Sequence, residues 1–160
     1  MPRAGPGTGR SGSIGVMLNR LYTSAAAWTG LGLASGLYWR EMTKLTEFTG
    51  HTQLSTAHTH ALALGTIMLL VVLALAKSFD TAEKPTRLFT LLWNVGLGLT
   101  FGAMVVKGTL QVLGVDLATS PMWAGIGGLG HMVLTGTFVY LFVILRRALS
   151  AAPAPATVGA

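Results

Sequence analysis

The sequence predicts an all-α membrane protein with four transmembrane helices arranged as an up-down bundle. Of its 160 residues, 51% are hydrophobic and only 10% are charged, whereas a soluble domain typically carries about 25% charged residues. Four segments also reach the roughly 20 apolar residues that a helix needs to cross a bilayer. We place these spans at about residues 21–39, 53–76, 88–115 and 122–145.

The first span ends on Tyr38 and Trp39, and such aromatic residues anchor helices at a membrane interface. Its basic flank and small residues would also suit a cleaved signal peptide, but the aromatic anchor favours a permanent span. Residues 1–15, rich in Gly, Pro and Arg, are predicted to form a disordered arm, and residues 149–160 a disordered tail. The transmembrane domain is therefore predicted at residues 16–148.

The basic residues are divided unequally between the two ends of the spans, which predicts the topology. One end has Arg3, Arg10, Arg20, Lys77, Lys84, Arg87, Arg146 and Arg147. The other end has Arg40 and Lys44, with Lys107 near the end of the third span. By the positive-inside rule, both termini are cytoplasmic. Because topology explains the net charge of +6, we expect no nucleic-acid partner.

The second span contains two histidines near its start, His58 and His60. An ionisable side chain inside a membrane is costly, so it is a functional hypothesis by default. At about 100° per residue, the two rings project roughly 200° apart, towards opposite sides of the helix. Such a helix suits a position between two cofactor sites. In the alternative interpretation, each ring only makes a hydrogen bond to a neighbouring helix.

The other two histidines also lie in the outer half of the predicted bundle. His131, on the fourth span, comes at a depth similar to that of the pair, and His51 lies near the surface. We expect His131 either to bind a cofactor or to join helices by a hydrogen bond, and His51 to be interfacial. A copper or zinc site of His51, His58 and His131 is a further option, although no acidic residue lies within a span.

Haem b is the cofactor that this residue set predicts. The chain has no cysteine, which excludes thiolate zinc sites and iron–sulfur clusters. Histidine is a common axial ligand of haem, so two histidines would hold a b-type haem. Its propionates would need cations, and Arg40, Lys44 and Lys107 are those on the outer side. Lys107 would otherwise simply extend to the interface.

Small and amide side chains on the spans allow two interpretations. Glycines are frequent near the histidines: Gly65, Gly96, Gly98, Gly102, Gly125, Gly127, Gly128 and Gly130. They allow helices to pack closely, and they also leave room for a flat macrocycle. Asn94 and Gln111 are predicted to make hydrogen bonds between helices.

Several stretches resemble a bacterial family of four-span membrane proteins that is catalogued as a domain of unknown function. They are YWREMTK at 38–44, FTG at 48–50, the segment 57–65, and GHMVLTG at 130–136. The likeness runs from about residue 18 to residue 147. It implies a multi-pass protein of the bacterial cell membrane and brings no assigned activity.

The stretch AHTHALALG at residues 57–65 also resembles the His-x-His helix of subunit I of haem-copper oxidases, especially the cbb3-type. In that family, two histidines on opposite faces of one helix ligate two haems. Twelve spans form three arcs of four with pseudo-threefold symmetry, and the ligand histidines lie on the second helix of each arc. No copper-ligating histidine set is evident on another span here, so the resemblance does not extend to oxygen reduction.

The resulting hypothesis is a homotrimer of four-helix units, favoured over a dimer, in the lipid bilayer. Each interface would hold one haem b between His60 of one protomer and His58 of the next, with His131 as a supporting hydrogen-bond donor or alternative ligand. A bis-histidine iron has no open position, so we expect electron transfer with an unidentified redox partner, or redox sensing, rather than enzymatic activity. The alternative is a haem-free small transporter or assembly factor whose histidines are structural or bind copper.

Overall fold

Each of the four apolar runs forms one long helix in the computed structural model, which describes residues 8–151. The helices are α1 at Thr8–Leu45, α2 at Leu54–Ser78, α3 at Glu83–Val112 and α4 at Met122–Ala151. A short 3-10 helix, Asp116–Thr119, lies between α3 and α4. No strand occurs in the described range, so the prediction of an all-α protein is confirmed.

Prolines mark the starts of the later helices. Pro85 lies in the first turn of α3 and Pro121 directly precedes α4, where the missing backbone N–H costs least. No proline occurs between Pro6 and Pro85, so α1 continues upstream and includes residues 8–15 of the predicted disordered arm. The rest of that arm, and the predicted tail beyond the end of α4, lie outside the described residues.

The first three helices end in the same way, with one residue in the left-handed conformation. That residue is Glu47 after α1, Asp80 after α2 and Gly114 after α3, with φ values of 53°, 47° and 66°. In each case the next amide donates to a carbonyl oxygen five residues earlier, at 2.9, 3.2 and 3.0 Å respectively. This Schellman arrangement satisfies carbonyl groups that a helix end leaves unpaired. Local bonds therefore terminate each helix before the connection that follows it.

Helices α2, α3 and α4 are long and apolar enough to cross a membrane. The mean hydropathies of their most apolar windows are 2.2, 1.7 and 1.8, and only 28%, 39% and 28% of those windows is buried within the chain. Most of their apolar surface therefore faces outwards, and a large exposed apolar surface indicates contact with a membrane or a partner. The prediction of a membrane protein is supported for these three helices.

Helix α3 lies at the centre of the bundle and packs most extensively against α4. At their crossing, a Cβ at Gly130 would come within 2.8 Å of the carbonyl oxygen of Gly96 and would also overlap Thr100. The two backbones thus approach as closely as small residues allow in membrane helices. Beside this crossing, the buried ring of Trp93 meets Phe138 edge-on, with ring centroids 4.7 Å apart.

Amide side chains join the helices, as the sequence predicts. The indole nitrogen of Trp28 on α1 donates to Oδ1 of Asn94 on α3 at 2.7 Å. At the opposite end of α3, the backbone N–H of Gln53 donates to Oε1 of Gln111 at 2.8 Å. This second bond holds the N-terminus of α2 against the C-terminal end of α3. Both amides are confirmed as interhelical partners.

The middle of α2 is π-helical over Ala61–Ile67. Two contacts fix this segment: the carbonyl of Leu64 accepts a hydrogen bond from the indole of Trp93 at 2.9 Å, and a Cβ at Gly65 would overlap the side chain of Trp28. π-helical segments are rare overall, but those that do occur often lie at functional sites. The π-helical segment begins immediately after His60, a feature that the sequence pattern does not predict.

Candidate functional site

His58 and His60 project to opposite sides of α2, as their spacing predicts. The ring of His58 stacks on Trp39 of α1, with centroids 5.5 Å apart and planes 12° from parallel. The ring of His60 meets that of His131 on α4, with centroids 6.2 Å apart and planes at 81°. The two imidazoles of α2 therefore have different neighbours, an aromatic ring on one side and a third imidazole on the other.

The His60–His131 pair has a defined tautomer. Nδ1 of His60 lies 3.2 Å from the carbonyl oxygen of Thr56, and Nδ1 of His131 lies 2.8 Å from that of Gly127. A carbonyl oxygen only accepts, so each Nδ1 carries the proton and donates it. In the neutral ring, Nε2 is then the nitrogen with a free lone pair. Such a backbone bond to Nδ1 is the usual support of a histidine that binds a metal through Nε2.

Both rings are reachable from outside the chain. His60 is half-buried and His131 is exposed. On α4, a Cβ added at Gly125, Gly127 or Gly128 would meet nothing within 4 Å. These three glycines are therefore not explained by packing within the chain, and they leave an open strip of backbone one to two turns before His131.

Other glycines near the histidines have a structural explanation. Gly65 accommodates Trp28, and Gly96 and Gly130 allow α3 and α4 to cross closely. Gly98 and Gly102 on α3 differ from these: a Cβ at either position would meet nothing within 4 Å, as is also true of Gly125, Gly127 and Gly128. The two predicted roles of the glycines, packing and open space, are thus divided between different positions.

His58 occupies the interface between α1 and α2. It is half-buried, and its Nδ1 is buried without a hydrogen-bond partner among the described residues. Its Nε2 lies 3.5 Å from the hydroxyl of the adjacent Thr59, at the outer limit of a hydrogen bond. Stacking on Trp39 fixes the ring, so Trp39 has a role in addition to the interfacial anchoring that the sequence predicts.

Within the described residues, no hydrogen bond or ion pair joins the predicted cations to His60 or His131. Arg40 is exposed and lies 3.3 Å from the carboxylate of Glu41, which is also exposed, and a surface pair of this kind contributes little stability. Lys44 is exposed in the last turn of α1, and Lys107 is half-buried on α3. His51 is exposed in the connection between α1 and α2.

A multi-ligand metal site is not assembled within the described residues. In the range 8–151, no group of three or more His, Cys, Asp or Glu side chains has the geometry to hold a metal ion. The set His51, His58 and His131, considered for copper or zinc, is therefore not brought together within one chain. What the fold does bring together is two imidazoles, His60 and His131.

The chain belongs to a family described as "Protein of unknown function (DUF2871)", whose model matches residues 18–148. No curated protein and no solved structure matches the chain. The family match covers the predicted transmembrane domain almost completely and confirms the resemblance to an uncharacterised family. The likeness to haem-copper oxidases stays a prediction.

Proposed function

We propose that this member of the family is a membrane protein that binds haem b through two histidines. The observation that carries the proposal is the pairing of His60 with His131, each with Nδ1 bonded to its own helix. Zinc and copper sites generally take three or four protein ligands. Haem iron takes only axial ligands from the protein, because the porphyrin supplies the other four. Within residues 8–151, no Asp, Glu or Cys side chain completes a group of three ligands with these two imidazoles, so the pair suits haem.

His60 from α2 and His131 from α4 would hold the haem. The centroids of His60 and His131 are 6.2 Å apart. The open glycine strip that precedes His131 leaves space for a flat ring next to α4. When bound, the haem would supply reversible one-electron chemistry, for electron transfer or for redox sensing.

The proposal includes four membrane spans, with α1 as the fourth, and both termini on the cytoplasmic side of the bacterial cell membrane. Helix α1 has 38 residues, more than the roughly 20 that a span requires. Two polar side chains in its middle are paired: Thr29 with Thr66 of α2 at 2.9 Å, and Ser35 with the carbonyl of Gly32 at 3.0 Å. Polar groups paired in this way are tolerated inside a bilayer.

A second arrangement of ligands uses His58 in place of His131. In this arrangement His60 of one protomer and His58 of the next share a haem across each interface of a homotrimer. The opposed projection of the two rings and the oxidase resemblance support it. The stacking of His58 on Trp39 favours the arrangement within one chain, because His58 would have to leave that ring to reach a neighbour. His60 is a ligand in both arrangements.

The visible spectrum of the detergent-purified protein, produced with ample haem supply, tests the proposal. Bis-histidine haem gives a Soret band and sharp reduced α and β bands. A colourless protein would contradict haem binding and would leave the haem-free transporter or assembly factor. The mass of the intact assembly then distinguishes a haem in every chain from a haem shared between chains of a trimer.

A further inference from the structure

A cleft lined mainly by polar residues lies between α1 and α3, near the end of the bundle that is opposite to the histidines. It has a volume of about 450 Å³, and its walls include Arg20 and Ser24 from α1 and Arg87, Thr90 and Asn94 from α3. The cleft is separate from the candidate haem site, and no part of the proposed function uses it.

The cleft is positively charged. Arg20 and Arg87 face it from two different helices, and neither has a carboxylate within ion-pair distance in the part of the chain that the structure describes. Each arginine directly precedes an apolar segment, the predicted spans that start at residues 21 and 88. Both guanidinium groups are therefore expected at the same depth, where lipid headgroups lie.

Hydrogen bonds hold the side chain of Asn94 in place in the wall of the cleft. The side-chain nitrogen of Asn94 donates to the carbonyl of Thr90 at 2.7 Å and to Oγ of Ser24 at 3.3 Å. Oδ1 of Asn94 accepts from Trp28, so all three bonds favour the same orientation of the amide. Ser24 accepts from Asn94, and its own hydroxyl proton has no acceptor within residues 8–151. That proton is available to a ligand.

We propose that this cleft binds the phosphate group of an anionic phospholipid. Two guanidinium groups and a hydroxyl donor match the acceptor oxygens of a phosphate diester. Leu91, 60% exposed, lies on the same wall and would contact the adjoining acyl chain. Basic pockets between transmembrane helices on the cytoplasmic side recognise anionic headgroups in this manner. A free phosphate ion offers the same oxygens, but it lacks the apolar chain that Leu91 would contact.

Native mass spectrometry of the full chain, with phosphatidylglycerol or phosphatidylcholine of identical acyl chains, tests the inference. We expect retention of phosphatidylglycerol to exceed that of phosphatidylcholine, and this preference to fall roughly tenfold or more in the double variant Arg20→Gln/Arg87→Gln. The double variant Arg146→Gln/Arg147→Gln is the matched control, because it removes two exposed arginines from α4 at the same end of the bundle. The control should keep the preference.

Inorganic phosphate, added as a competitor, identifies the source of the ligand. If millimolar phosphate leaves phosphatidylglycerol bound, the site is specific for lipid. If phosphate displaces the lipid from the wild-type chain, the cleft still recognises a phosphate group, and a soluble phosphate ligand can occupy it as well as a lipid. Equal retention of phosphatidylglycerol by the wild type and the Arg20→Gln/Arg87→Gln variant would overturn the proposal. An equal loss in both double variants would also overturn it, since general charge would then explain the binding. Neither result depends on haem.

Discussion

The indole nitrogen of Trp93 on α3 donates a hydrogen bond of 2.9 Å to the backbone carbonyl of Leu64 on α2. Leu64 lies inside the π-helical segment, so a side chain 29 residues away bonds the backbone where the helix departs from α geometry. The ring of Trp93 is fully buried and also packs against Phe138 of α4. One side chain thus joins α2, α3 and α4 directly below the histidines.

Replacing Trp93 with Phe should destabilise the protein by about 1–3 kcal/mol, because the substitution removes the bond to the carbonyl of Leu64 and part of the volume of a fully buried ring. Trp123→Phe is the control. Its indole also donates to a backbone carbonyl, that of Leu117 at 2.9 Å, but at an exposed position. Thermal unfolding in detergent measures both variants. Equal losses in the two would show that burial of the Trp93 bond is unimportant.

His60→Ala should abolish the low-spin haem spectrum, because His60 is a ligand in both proposed arrangements. His51→Ala is the control, since this histidine is exposed in the connection before α2, and it should leave the spectrum unchanged. Absorption spectra of the purified variants, normalised to protein, provide the measurement. A full complement of six-coordinate haem in the His60→Ala protein would refute both arrangements.

His131→Ala and His58→Ala separate the two arrangements. If the haem lies within one chain, His131→Ala removes a ligand and the low-spin spectrum is lost, while His58→Ala retains it. If the haem joins two chains, the effects are reversed and loss of haem in His58→Ala accompanies dissociation of the trimer, since a shared ligand stabilises only the assembly. Reduced-minus-oxidised spectra together with native mass spectrometry give both readouts.

Gly130→Ala should destabilise the packing of α3 against α4 by about 1–3 kcal/mol, because the new methyl overlaps backbone and Thr100 at the crossing. Gly128→Ala, two residues earlier on the same helix, meets nothing within 4 Å. It should leave stability unchanged or raise it by up to about 1 kcal/mol through helix propensity. The apparent melting temperatures of the two variants in detergent should therefore move apart. Similar values would mean that the close crossing is not tightly packed.

Glu47→Gly should stabilise the chain by about 1 kcal/mol, because Glu47 has φ of 53° at the end of α1 and a left-handed conformation is unfavourable for a residue with a Cβ. Gly114→Ala, at the equivalent position after α3 with φ of 66°, should destabilise it by a similar amount. Thermal unfolding under one detergent condition compares them. A decrease in melting temperature for Glu47→Gly would indicate that the glutamate makes a compensating contact.

The helices could be predicted from the sequence because a single apolar run of this length crosses a membrane as a helix. In a helix, the backbone N–H and C=O groups form hydrogen bonds within the segment. The opposed projection of His58 and His60 follows from helical periodicity alone. The interhelical roles of Asn94 and Gln111 follow from the rule that polar side chains inside a bundle need partners. Each of these predictions depends only on local geometry or on burial.

The meeting of His60 with His131 could not be predicted in the same way. Depth along the spans placed the two residues at the same level, but depth does not determine which helix faces approach each other. That depends on the crossing of α3 and α4 at Gly96 and Gly130, which positions α4. The π-helical segment was missed because the bond that fixes it comes from Trp93, on a different helix. Such tertiary contacts do not produce a periodic pattern of residues in the sequence.

The π-helical segment also separates α2 into two parts with independent registers. Because a π-helical hydrogen bond spans one residue more than an α-helical one, deletion of the exposed Ala63 would be absorbed by a return to α geometry. The same deletion further along α2, at Val71 for example, would rotate the following residues by about 100°. Changes in helix length during divergence of the family should therefore concentrate at residues 61–67. Related chains that lack one residue there would still present their histidines in the same direction.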